Sequence, residues 1–185
     1  MKKIFIDGSA GTTGLRIHER LSKREDIEVI TLPEEERKKE ASRRKALNGC
    51  DIAFLCLPDD AAREAVGFIE NPDVVVIDTS TAHRTEPGWS YGFPELGDDF
   101  ADAIKGSKRI TVPGCHAGGF IALVYPLVRA GIILQSARLF CHSVTGYSGG
   151  NKKMIAEYET ANKPYTYASP RQYALTQNHK HLKKI

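Results

Sequence analysis

Residues 113–119 read Pro-Gly-Cys-His-Ala-Gly-Gly, and an apolar run, FIALVYPLV, follows directly. Cys115 therefore sits where a helix should begin. Unpaired N–H groups and the dipole at a helix start favour a thiolate, which is the nucleophilic form of cysteine. Gly118 and Gly119 would let a ligand come close. The competing reading is a cysteine that simply packs, as free cysteine commonly does. Near the other end, GSAGTTG places Gly8, Gly11 and Gly14 at three-residue spacing after a short apolar run. Glycines at a strand–helix turn let the backbone bend sharply and approach a pyrophosphate, which the helix N-terminus then holds. Ser9, Thr12 and Thr13 add hydroxyl donors. The string is GxxGxxG rather than GxGxxG, so a structural turn is the alternative, but its position after the first strand favours a dinucleotide.

A thiolate needs a partner that handles protons. The chain has six histidines. His18 falls inside the first expected helix, and His142 on an alternating stretch. His179 and His181 differ, because an i, i+2 pair shares one face of an extended segment. One could shuttle protons at Cys115 while the other binds an anion; a solvated basic tail is the alternative. A metal held by Cys115 and these histidines is a third reading, but no other spaced ligand set and no CxxC pair occurs, so no metal is expected.

The elements that must position these residues alternate. Strands are expected at Lys3–Ile6, Ile27–Leu32, Asp51–Leu57 and Val74–Ile77, with helices at Leu15–Lys23, Glu34–Leu47 and Asp59–Ile69 between them. This alternation predicts an α/β fold, a doubly wound parallel sheet of Rossmann type. A looser stretch from Ala82 to Lys108 carries one helical piece near Asp98–Ile104. Then come Ile110–Val112, the Cys115 motif and a helix to about Ala130. Ala137–Thr145 alternates like a half-exposed strand of a second layer, and a helical turn is expected near Lys153–Glu159. The domains are expected at residues 1–112, which bind the nucleotide, and 113–185, the beginning of an α+β substrate domain.

The second strand ends Thr31-Leu32-Pro33, without the carboxylate that an NAD ribose would want. The charged segment beyond offers Arg37, Arg43 and Arg44, an arrangement that favours the 2′-phosphate of NADP, with Arg43 taken as a cofactor-binding residue.

Composition sets the outer bounds. With 41% hydrophobic and 26% charged residues and a net charge of +3, the chain is an ordinary globular mix without a basic, aromatic-interleaved tract. Nucleic-acid binding is not indicated, whereas an anionic small molecule is easily accommodated. Residues 110–128 are nearly uncharged but contain Pro113, Gly114 and Pro126, so they read as a loop and a buried helix rather than a membrane span. The N-terminus reads as a strand, not a signal peptide. The four cysteines, Cys50, Cys56, Cys115 and Cys141, are expected as free thiols in a reducing cytoplasm. All but Cys115 stand in or beside expected strands and read as small buried hydrophobes.

Taken in order, GSAGTTG, DTSTAHR at 78–84, YGFPEL at 91–96, PGCHAGG, VTGYSGG at 144–150 and NHKHL at 178–182 make the chain resemble the short-type N-acetyl-gamma-glutamyl-phosphate reductases. These are similar to the aspartate-semialdehyde dehydrogenases, the nearest rival family. The resemblance implies NADPH-dependent reduction of an acyl phosphate to a semialdehyde plus inorganic phosphate, within arginine biosynthesis, and a homo-oligomer. It implies Cys115 as the nucleophile that forms a thioester, His179 as acid–base residue and His181 as its support. Ser80 and Arg84 would then meet the nucleotide or the substrate phosphate. Glu95, taken as substrate-binding, would orient polar groups at the domain junction, and Ser148 and Gly149 would lie near the cofactor's reactive end. In the family a longer chain follows the histidine motif, whereas here HLKKI closes the sequence. The second domain is thus expected to be incomplete, with exposed apolar edges. A nucleotide-binding fragment without catalysis is the alternative function.

Overall fold

The computed structural model describes residues 1–150, 152–170, 172 and 175. His179 and His181 lie outside the described residues. Strands β1 (Lys2–Asp7), β2 (Ile27–Ile30), β3 (Ile52–Leu55), β4 (Val75–Asp78), β5 (Ser90–Tyr91) and β6 (Arg109–Thr111) form one sheet in the order β2-β1-β3-β4-β6-β5. All five pairings are parallel. Helices α1 (Thr12–Leu21), α2 (Glu40–Asn48), α3 (Asp59–Gly67), α4 (Asp98–Lys105), α5 (Cys115–Arg129) and α6 (Lys152–Glu159) make up the rest, with 3-10 turns at Pro94–Leu96, Tyr147–Gly149 and Tyr165–Ala168. The α/β expectation holds.

The sheet is buried on both faces, as parallel sheets are. Phe5, Ala53, Leu55, Val74 and Val76 join Ala46 and Leu47 of α2 and Ala65 of α3 in one cluster. Ile4 and Ile6, of opposite parity to Phe5 along β1, are also buried. Each large aliphatic or aromatic side chain withdrawn from water in this way contributes about 1.5–3 kcal/mol.

What matters for function is the carboxyl edge. The register pairs Asp7 with Leu55, Leu55 with Asp78 and Asp78 with Thr111, so four strands end together. Their exits are stitched by backbone bonds: Cys56 N–H to Asp7 O at 2.8 Å, Thr79 N–H to Leu55 O at 3.0 Å, and Val112 N–H to Asp78 O at 2.8 Å. The chain order reverses at β1, with β2 on one side and β3 on the other. Ligands of open α/β sheets bind outside the carboxyl ends at such a switch point.

Three expectations are corrected. Helix α2 begins at Glu40, not Glu34, because residues 34–38 wind into turns. Glu36 and Arg37 N–H groups bond back to Pro33 O, and the Glu36 carboxylate accepts from Lys39 Nζ and the Ser42 hydroxyl, which caps the turn. Ala137–Thr145 forms no strand. A ladder needs a neighbouring backbone; none of the described residues pairs with this stretch, and it is exposed throughout. Cys141 consequently lies exposed rather than packed. Strand β5 is an addition, too short to carry a periodic signal.

Arg43 has a structural position. Its side chain is 9% exposed; it contacts Asp7 at 3.0 Å and Glu64 at 2.7 Å, and its guanidinium carbon stands 5.2 Å over the Phe68 ring. Burial pushes the Asp7 carboxyl up, against the opposing pull of Arg43. Arg43→Ala should therefore cost about 3–5 kcal/mol at neutral pH, since it strands a buried carboxylate. Without the guanidinium, the folded-state pKa of Asp7 rises further above its unfolded value. The variant's deficit then grows as pH rises through that pKa and shrinks as Asp7 takes up a proton in acid. Chemical denaturation of both chains across pH checks this; a deficit independent of pH would contradict it.

Candidate active site

The first strand exit is shaped by glycine. Gly8 adopts φ +84°, and a Cβ there would stand 2.3 Å from the Cys56 carbonyl oxygen, at the exit of β3. A Cβ on Gly14 would stand 2.4 Å from Gly8 O. The turn is closed by Gly11 N–H to Gly8 O at 2.9 Å, and α1 follows with no side chain capping its N-terminus. Uncapped first-turn N–H groups beside a backbone that tolerates no side chain form a cradle for a phosphate. The residues present thus fit the pyrophosphate of a nicotinamide dinucleotide. Ser9, Thr12 and Thr13 lie in or directly after this turn.

Thr12 and Thr13 also open onto a cleft of about 360 Å³, whose other walls are Arg16, Arg20, Ser148 and Gly149. The structure brings the GYSGG loop to the glycine turn rather than to a place fixed by a cofactor's reactive end, and adds two arginines on the outer face of α1. Their i, i+4 spacing was visible in the sequence, but nothing there indicated which element they face. The 3-10 turn carrying Ser148 is braced by Tyr147 stacked on Tyr158, ring centroids 5.1 Å apart.

The second exit is built around Asp78, whose side chain is fully buried. Its carboxylate accepts Ser80 N–H at 2.8 Å and Ser80 Oγ–H at 2.8 Å, and lies 2.7 Å from His83 Nδ1. His83 in turn stacks on Trp89 at 4.2 Å. Asp59, opening α3, holds the same turn through the Thr81 N–H at 2.9 Å and the Thr81 hydroxyl. The Ser80 hydroxyl also accepts Ala82 N–H at 3.1 Å, so it is engaged within the turn. The Asp78–His83 pair escaped the sequence, where only a proton-handling partner for Cys115 was sought among the histidines.

This turn delivers Arg84 to a second cleft, of about 350 Å³, walled by Tyr91, Leu96, Phe100 and the half-buried face of α5 that includes Phe120, Ile121 and Val124. Arg84 Nη2 donates to Thr79 O at 3.2 Å. Its Nε and Nη1, and the Tyr91 hydroxyl, are buried without a hydrogen-bond partner among the described residues. Burial pushes the Arg84 guanidinium pKa down, while Tyr91, Asp78, Asp59 and Cys115 act in the opposite direction. Cys115 thus stands within electrostatic reach of Arg84. It is the first residue of α5, exposed, behind Gly114 as an N-cap that offers no side chain. Its neighbour His116 bonds through Nδ1 to Ser143 Oγ at 2.5 Å, which ties the segment leading to the GYSGG loop to the start of α5.

The remaining sequence candidates fall elsewhere. Arg43 is held by Asp7 and Glu64, and Arg44 by Glu40 and Glu70. Arg37 is exposed in the turn between β2 and α2, its Nε on Leu32 O at 3.2 Å. Glu95 is exposed on the turn Pro94–Leu96, although Tyr91 and Leu96 of the same motif line the second cleft. Among the described residues, no helix is long and apolar enough to cross a membrane.

Comparison with known proteins places this geometry in context. Residues 3–105 match the family model "Semialdehyde dehydrogenase, NAD binding domain", and residues 115–185 match "Semialdehyde dehydrogenase, dimerisation domain". The N-acetyl-gamma-glutamyl-phosphate reductase of Burkholderia cenocepacia is 51% identical over 182 residues, 98% of this chain and 58% of that protein. The protein named N-acetyl-gamma-glutamyl-phosphate reductase 2 of Pseudomonas putida is 50% identical, over 98% of this chain and 58% of its own. The chain thus spans 58% of the length of these curated relatives. Among solved structures, the aspartate semialdehyde dehydrogenase of Francisella tularensis superposes with TM-score 0.61 at 14% identity, over 85% of this chain and 48% of that one, a likeness of fold.

The four thiols separate by environment. Burial pushes Cys50 and Cys56 each up to about 11, whereas Cys115 and Cys141 are exposed. Iodoacetamide at neutral pH should label Cys115 first, ahead of Cys141, because of the two only Cys115 opens a helix, with no side chain capping that helix start. Cys50 and Cys56 should react only on unfolding. Peptide mass mapping over time checks the order, and equal rates at Cys115 and Cys141 would remove the case for an activated thiol.

Proposed function

The chain belongs to the semialdehyde dehydrogenase family, and from that premise we propose that it carries the nucleotide-binding and nucleophile-bearing part of an N-acetyl-gamma-glutamyl-phosphate reductase. One observation supports this most: Cys115 opens an uncapped helix within electrostatic reach of the half-buried, incompletely bonded Arg84, on the same sheet edge as the glycine cradle. The names of relatives at 51% and 50% identity support the substrate class. The domain division falls between residues 112 and 113, so that the thiol belongs to the second domain while its helix start meets the first.

In this reading the Cys115 thiolate attacks the acyl carbon of N-acetyl-L-glutamyl 5-phosphate. A C–S bond forms, the C–O bond to phosphorus breaks, and inorganic phosphate leaves with the electron pair. Arg84 and the first turn of α5 stabilise the negative charge that develops on the oxygens. The turn 8–14 would hold NADPH, whose hydride would be the reductant that takes the thioester to the aldehyde level. Breaking the C–S bond of the resulting hemithioacetal frees the semialdehyde and returns the thiolate. His179 carries the proton traffic, with His181 as its support, as the family motif implies. Ser148 and Gly149 close the cofactor cleft over Thr12 and Thr13.

The charge that distinguishes NADPH from NADH falls to Arg37, since Arg43 and Arg44 are committed to carboxylates. Glu95 acts on the substrate side, where its turn borders the second cleft. Residues 115–185 match a dimerisation domain, and Leu123, Ile132, Leu134 and Phe140 are exposed apolar side chains, so association of copies through this surface in a reducing cytoplasm completes the reading.

Two measurements test it. Phosphate-dependent reduction of NADP with N-acetyl-L-glutamate 5-semialdehyde should be measurable with the purified chain and should fall at least about a thousandfold in Cys115→Ala, which removes the nucleophile. Binding of NADPH without any turnover would instead leave a nucleotide-binding function alone. Arg37→Ala should weaken NADPH binding about tenfold, the loss expected of one charge-assisted contact, and leave NADH binding unchanged. Equal losses for both cofactors would reassign the 2′-phosphate site.

A further inference from the structure

We propose that Tyr91 is a ligand-binding residue: its hydroxyl and Arg84 together receive one multi-oxygen anion of the substrate at the head of the cleft between β5 and α5. The inference rests on the acyl-phosphate reading of the site and adds a second, specificity-determining donor to it.

Two residues that line this cleft carry three polar atoms without partners among the described residues: Arg84 Nε, Arg84 Nη1 and the Tyr91 hydroxyl, each withdrawn from solvent. Buried donors are almost always bonded, because an unmade bond forfeits the water that was given up. Three such atoms on two residues that wall one cleft leave hydrogen bonds for a ligand to make. What the ligand must offer is set by what is missing. All three groups can donate, so acceptors are required, and a guanidinium prefers an anion. A phosphate or a carboxylate meets that need with several oxygens and a negative charge, whereas a single amide or alcohol oxygen brings no charge. The walls below, Phe100, Phe120, Ile121 and Val124, are apolar and suit a short methylene chain.

Tyr91 is fixed from both sides. Its backbone pairs with Thr111 in the parallel ladder of β5 and β6. Its ring packs against Phe93 at 6.5 Å. The adjoining Gly92 cannot carry a side chain, since a Cβ would stand 2.6 Å from Thr111 O. The phenol is therefore held in place by the sheet, not by a bond to its hydroxyl. A tyrosine kept for packing would be equally served by phenylalanine, and a buried hydroxyl without a partner is then a cost with no structural return.

The test separates ligand binding from structure and from turnover. Wild type, Tyr91→Phe and Arg84→Gln chains are titrated calorimetrically with inorganic phosphate and, separately, with N-acetyl-L-glutamate, and their thermal unfolding is followed without ligand. Neither titration needs NADPH or catalysis, so a chain that fails to turn over still answers. Tyr91→Phe should weaken one of the two anions about tenfold and Arg84→Gln the same anion by more, while the ligand-free Tyr91→Phe chain melts at or above the wild-type temperature. Loss confined to phosphate identifies the transferred group as the occupant, and loss confined to N-acetyl-L-glutamate identifies the substrate carboxylate. Wild-type binding of neither anion, unchanged binding in Tyr91→Phe, or a Tyr91→Phe chain that melts lower or fails to fold would each overturn the proposal.

Discussion

The Asp78 carboxylate is the interaction on which the functional edge depends. It has no exposure, and it gathers the Ser80 N–H, the Ser80 hydroxyl and the His83 ring into one turn. Its backbone carbonyl receives Val112 N–H, which sets the exit of β6 and hence the Pro113-Gly114 bend before Cys115. One residue thus aims Arg84 from one side and seats the thiol from the other. Isolated, a carboxylate at that depth would be very costly, so its three contacts are a condition of the fold as much as of the site.

The contrast between Arg43 and Arg84 shows how a single residue type serves two ends on one sheet edge. Both guanidiniums are withdrawn from water, Arg43 almost wholly and Arg84 in part. Arg43 meets Asp7 and Glu64 and lies over Phe68, so its charge is spent inside the protein. Arg84 has the Thr79 carbonyl and two nitrogens left over. The glycine turn obeys the same logic of occupied and vacant space. Gly8 and Gly14 are packed so closely against carbonyls that the backbone itself forms the floor on which a phosphate can lie.

Much of this was legible from residue order. The strand–helix alternation was enough for the parallel sheet, because β-branched and aromatic runs such as Lys3–Ile6 and Val74–Ile77 have little other use. Cys115 at a helix start could be read from Pro113, Gly114 and the apolar run that follows. What escaped depended on contacts between distant segments. Nothing local distinguishes Arg43 from Arg44, yet Arg43 faces the core and Arg44 the surface. The alternation at 137–145 was real as a pattern, but a strand also needs a neighbour. Tyr91 sits in a two-residue strand, below the length at which periodicity speaks, and its unpaired hydroxyl is a property of the cavity rather than of the sequence.

Trp89 carries a consequence of its own. It is the single tryptophan of the chain, and its indole lies 4.2 Å from the His83 ring with an interplanar angle of 12°. Five residues after Arg84, the chain has in effect placed a native chromophore against the imidazole that Asp78 holds. Ultraviolet emission excited at the red edge of protein absorption therefore arises from one address, so the chain reports optically on the β4 exit without any label being attached.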